Sequence, residues 1–178
     1  NADSMVGRSP QGYLIPAGMN SELPGLLEAW GVEFDNSKVL TDNVLALRVM
    51  MGQGQRPVPH LGMLGVQSEF LTQDDIITNR LETINLSSAG AINQSAEGSI
   101  SFEPLIVSSS DAMLMDRSFV ESVTDPTVLF DEFQSEDTSF VIAARISGVI
   151  ETAFPNGQPA IEETEEENDT GEEESEAS

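Results

Sequence analysis

The chain has 178 residues, with 39% hydrophobic and 6% aromatic side chains, so one domain of ordinary size fits and Leu, Ile, Val and Met must fill its core. The net charge is −24, and ten of the 31 acidic residues lie beyond Ile161, where no Lys or Arg stands, which leaves the first 161 residues at −14. That acidity argues against gripping nucleic-acid phosphates or an anionic leaflet, and the lack of cysteine excludes disulfides, thiolate catalysis and cysteine metal sites.

Residues 1–12, rich in Gly, Pro and Ser, read as a loop or tag remnant, with a short apolar strand beginning at Tyr13, Leu14 and Ile15. The clearest helix follows. Ser21 is its N-cap, Glu22 and Pro24 suit the first turn, and Leu23, Leu26, Leu27 and Trp30 form one stripe that Gly31 ends. Val32–Phe34 and Lys38–Leu40 are extended pieces around an Asp35-Asn36 turn. Strands are expected over Val44–Met51 and Leu61–Val66, joined by a loop at Gly52-Gln53-Gly54.

Thr72 with Asp75 three residues later suggests a capping box for a helix over 74–81. The alternation from Ile84 to Ile92 predicts one half-buried strand, a polar turn over 93–99, and a returning strand over Ser101–Ser108, an antiparallel hairpin. Asp125-Pro126 starts another helix, with Leu129, Phe130 and Phe133 on its buried face. Ser139–Thr152 carries apolar residues on both faces and is expected to be a central, covered strand. Residues 161–178 are expected to be a disordered acidic linker, too polar to offset the entropy of ordering.

Reactive groupings are sparse. His60, the sole histidine, stands between Pro59 and Leu61 without metal-ligand spacing and reads as a loop or packing residue. Gly52-Gln53-Gly54 lacks the lysine of a phosphate loop. Ser108-Ser109-Ser110-Asp111 lacks a nucleophile elbow and reads as a turn that satisfies backbone groups. Asp74 and Asp75 suit a helix's first turn better than acid–base chemistry. No catalytic, cofactor-binding or metal-binding residue is therefore assigned, and no cofactor is expected. Among the seven methionines, core filling is the first expectation, with Met113 and Met115 as a candidate contact surface together with Trp30.

Four stretches, in order, carry a resemblance. They are SELPGLLEAWGVEF at Ser21–Phe34 leading to KVLTD at Lys38–Asp42; the Thr78–Leu86 segment; FEPLIVSS at Phe102–Ser109; and FVIAARISG at Phe140–Gly148 with TAFP at Thr152–Pro155. Over residues 13–160 the chain resembles the auxiliary component of uncharacterised ABC-type transport systems, related to the gliding-motility ABC auxiliary protein. The resemblance implies the extracytoplasmic part of an inner-membrane-anchored bacterial protein that works beside an ABC permease and ATPase. Members of that family are generally longer, with an N-terminal anchor, an earlier nucleotide-fold-like half and a C-terminal membrane helix. The family has no established catalytic residues, so none is carried over.

The expected architecture is α+β: a mixed, largely antiparallel sheet with two or three short helices, and a doubly wound parallel sheet completed by a missing N-terminal half as the alternative. The leading functional expectation is a non-catalytic accessory module. Its rivals are a periplasmic saccharide- or polymer-binding module and a hydrolase-like domain without its catalytic half.

Overall fold

The computed structural model describes residues 6–8, 14–16, 24–50, 56–95, 100–149, 152, 153, 155 and 157. The N-cap at Ser21, the 52–54 loop, most of the 93–99 turn and the acidic stretch from 161 onward lie outside the described residues.

Strands β1 (Val6–Arg8) and β2 (Leu14–Pro16) form an antiparallel pair. Helix α1 (Pro24–Ala29) stops where the sequence places the stop: Gly31 takes φ 67°, and the Trp30 and Gly31 amides close the last turn on the Leu26 and Glu28 carbonyls. Leu26, Leu27 and Trp30 are half-buried, so the stripe docks only partly.

The chain then enters β3 (Val32–Phe34) and, after the Asp35–Ser37 turn, β4 (Lys38–Asp42). In that turn Asp35 accepts from both the hydroxyl and the amide of Ser37, which hold its carboxyl below the ordinary range. A three-stranded antiparallel meander follows: β5 (Ala46–Val49), β6 (Val58–Gln67) and β7 (Thr83–Ser87). The remaining strands are β8 (Ile92–Gln94), β9 (Ser101–Val107), β10 (Ala112–Asp116) and β11 (Val141–Ser147). Helices α2 (Arg117–Ser122) and α3 (Leu129–Glu132) lie between the last two strands. A 3-10 turn, Pro126–Val128, precedes α3; Asp125 caps it by accepting from the amide and hydroxyl of Thr127, which lowers its carboxyl pKa.

Every strand pairing among the described residues is antiparallel, which makes the architecture α+β and not a doubly wound parallel sheet. Several small sheets replace the single sheet expected: β3–β8, β4–β10, β5–β6–β7 and β9–β11.

Three expectations are corrected. Residues 74–81 form consecutive turns, not a helix, with Ile76, Ile77 and Leu81 exposed. Thr72 faces Pro104, donating to its carbonyl at 2.7 Å, and Asp75 accepts the amide of Ile77 at 2.8 Å, so neither is free to build a capping box. The run 84–92 is two strands, because Ser88 adopts φ 52° and turns the chain. There Ala89 offers its carbonyl to the Leu40 amide at 2.7 Å, and a Cβ on Gly90 would come within 2.4 Å of the Phe34 ring. β7 accordingly joins β6, β8 joins β3, and the 84–92/101–108 hairpin does not form; β9 pairs with β11. Finally, β11 has one strand neighbour and is half-buried from Val141 to Ile146, not central. Apolar residues on both faces report cover above and below the strand. They carry no information about its lateral neighbours.

Among the described residues the core has two buried clusters, and β4–β10 is the wall between them. Leu40 and Ala112, with half-buried Leu114, face Leu45, Leu64, Val66, Leu71, Leu105 and Ile106. Val39 and Met115, with half-buried Met113, face Leu61, Val120 and Leu129. Side-chain alternation along two paired strands serves both clusters.

Candidate functional site

The most polar buried spot is the corner where β4 ends. Asp42 is fully buried, and its Oδ1 accepts from the Val44 and Leu45 amides at 2.9 Å each and from the Ser109 hydroxyl at 2.8 Å. Its Oδ2 accepts from the Ser109 amide at 2.7 Å. One carboxylate thus shapes the β4–β5 turn and ties it to the β9–β10 turn. The Asp42-Asn43 pair after a strand was the available signal, since Asp favours turns by binding the backbone just ahead of it. Its partner, 67 residues away, had none.

The serine–aspartate group belongs to the same corner. The Ser108 hydroxyl donates to the Ser109 carbonyl and accepts from the Phe140 amide, both at 2.8 Å. The Ser109 hydroxyl, besides bonding Asp42, accepts from the Asp111 amide at 3.1 Å, while Asp111 Oδ2 accepts from Asn43 at 2.8 Å. These groups satisfy backbone in a turn, as expected. Asp74 and Asp75 diverge: Asp74 is exposed, whereas Asp75 is buried and pairs with Arg145 at 2.8 Å, tying the 72–82 turns to β11. Two carboxylates so separated do not share a proton-transfer site.

His60 lies on β6, not in a loop, and its Nδ1 accepts from the Gly62 amide at 3.1 Å. Partial burial pushes the imidazole pKa below its ordinary value, with a smaller opposing effect from its own backbone. The neutral ring is favoured in the folded state, so stability is full above the unfolded histidine pKa of about 6.5 and falls as pH drops through it toward the folded value. His60→Gln should remove this slope: as pH falls from about 7.5 to 5.5, the native protein should lose urea resistance relative to the variant. A constant difference in midpoint over that range would contradict the assignment.

Among the described residues no group of three or more His, Asp or Glu side chains could hold a metal ion, and every buried side-chain polar atom has a hydrogen-bond partner.

A concavity of about 530 Å³ beside β10 is lined by residues singled out from sequence. Met113, Leu114, Met115 and Asp116 line it in succession, with Phe119 of α2 on one side and Glu132 of α3 on the other. Lys38 reaches its rim and pairs with Asp116 at 3.0 Å. Met115 is buried and contributes mainly to the core, and Met113 is half-buried. Trp30, at the end of α1, is not part of this lining. The structure therefore brings the two methionines together and leaves the tryptophan elsewhere. Phe119, Glu132 and Lys38 were not singled out by sequence; only their proximity in the fold reveals them.

No curated protein and no solved structure matches the chain significantly. The family model described as an ABC-type uncharacterized transport system matches residues 1–177, a span that takes in both the first twelve residues and the acidic stretch. The chain belongs to this family, the auxiliary components of ABC transport systems.

Proposed function

We propose that this chain is a non-catalytic interaction module, the extracytoplasmic part of a longer, inner-membrane-anchored bacterial protein that works beside an ABC permease and ATPase in transport or gliding-motility-type assemblies. Family membership supports the transport context. The observation that carries the interaction role is the contrast between the polar corner and the concavity. The serine and aspartate side chains that chemistry would require are committed to holding turns, whereas the open surface beside β10 mixes Met113, Leu114 and Phe119 with a charged rim on which Glu132 has no cationic partner among the described residues. No described helix is long and apolar enough to cross a membrane.

The saccharide-binding alternative loses support because Trp30, the natural stacking platform, does not line the concavity. The test is co-purification. The full-length parent, solubilised with its own permease and ATPase, should be retained in stoichiometric amount by a tag on the permease. Recovery of an intact permease–ATPase complex without the parent would refute the role.

A further inference from the structure

The concavity beside β10 has an unusual lining for a surface cleft: four consecutive residues of one strand, Met113 to Asp116. Successive side chains of a strand point to opposite faces, so an opening that touches all four runs along the strand's edge, where its main chain is accessible. Hydrogen bonding gives the same result independently. The Leu40 amide points to Ala89, away from β10, and Leu114, directly opposite Leu40, points its amide away from β4 to Glu136. By alternation the Leu114 carbonyl and the Asp116 amide also face outward.

One end of this edge is already capped in a particular way. The Glu136 amide donates to the Ala112 carbonyl at 2.9 Å, and Glu136 Oε1 accepts from the Leu114 amide at 3.1 Å. A residue in a parallel β-bridge opposite Met113 would make the same two bonds, with its own main-chain carbonyl where Glu136 uses its carboxylate. The side chain stands in for a strand. Beyond it, no described residue is recorded as a partner for the Leu114 carbonyl or the Asp116 amide.

We propose that the outer edge of β10 is a strand-addition site for an extended, basic–apolar segment of a partner protein, and that Glu136 caps the edge until the partner displaces it. This rests on the interaction role proposed above and supplies its surface and partner chemistry. The occupant's character follows from the lining. Met113 and Phe119 receive apolar side chains, while the main chain of the incoming segment pairs with Leu114 and Asp116. Its charge follows from the lining: Lys38 is taken up by Asp116, which leaves Glu132 without a cationic partner among the described residues, on a chain whose first 161 residues carry −14. A second copy of this acidic chain would meet like charge along the same edge.

The test uses the 178-residue chain, isotope-labelled, titrated with short synthetic peptides that alternate Lys or Arg with β-branched residues. Binding should shift the amide resonances of Leu114 and Asp116. It should disappear for the same peptides N-methylated at every second residue, and for Glu-alternating versions. Glu136→Ala should tighten binding about fivefold, since a competing hydrogen bond is removed, and Glu132→Gln should weaken it about threefold. Perturbations that map away from β10, equal binding of acidic peptides, no binding by any basic peptide, or a Glu136→Ala protein that dimerises through β10 would each overturn the proposal. These results are separable from the co-purification result. A parent that joins its transporter while β10 stays silent sinks only the edge assignment, and edge binding without co-purification sinks only the transporter role.

Discussion

Asp42→Ala should lower the unfolding free energy by about 3 to 5 kcal/mol, because four donors lose their acceptor in a buried corner. The Val44, Leu45 and Ser109 amides and the Ser109 hydroxyl all converge on this carboxylate. No Lys or Arg is paired with it among the described residues, so hydrogen-bond donors alone satisfy the carboxylate. Asp42→Asn should cost about 2 to 3 kcal/mol: the remaining oxygen keeps some of the bonds, but the new NH2 group confronts a donor. Urea titrations measure both, with an unchanged slope marking a pure stability effect. A loss below about 1 kcal/mol for the alanine variant would show that water or relaxation replaces the carboxylate.

Leu40→Ala is the second large effect, about 3 to 4 kcal/mol, the usual cost of removing a fully buried leucine from a core that cannot collapse around the gap. Leu40 is completely buried among Leu45, Leu64, Val66, Leu105 and Ala112. Its neighbour Val39 belongs to the other cluster, with Leu61, Val120 and Leu129. Because both side chains hang from β4, the clusters should melt together, and the variant should show one transition by every probe. Two separated transitions, only one of them shifted, would mean that each cluster is an independent folding unit.

Local signals were legible in the sequence. Gly31 ends α1 because a left-handed residue was needed there, and Asp125-Pro126 opens the turn before α3 because the cap and the fixed proline φ act within a few residues. The strands β6 and β9 fall where apolar runs and flanking breakers place them, although Pro59 and Pro104 both lie inside strands. What sequence could not supply is lateral order. The period of two over 84–92 is genuine at both ends, yet Ser88 and the close approach of Phe34 to Gly90 split it between two sheets. The Met113–Met115 run reads as a patch of soft residues because its strand character comes from β4, more than 70 positions earlier. Of the site, the methionines were visible; Glu136, whose side chain closes the strand edge, looks in sequence like any solvated acid.

The wall between the two clusters also sets where the chain tolerates changes in length. Adding one residue between Val39 and Thr41 would exchange the occupants of the two compartments along the rest of β4 and carry the Asp42 carboxylate off Ser109. An extra residue at exposed Asn36, in the turn before the wall, leaves that parity intact. Length variation among functional variants of this domain should therefore collect in turns such as 35–37 and be absent from 38–42.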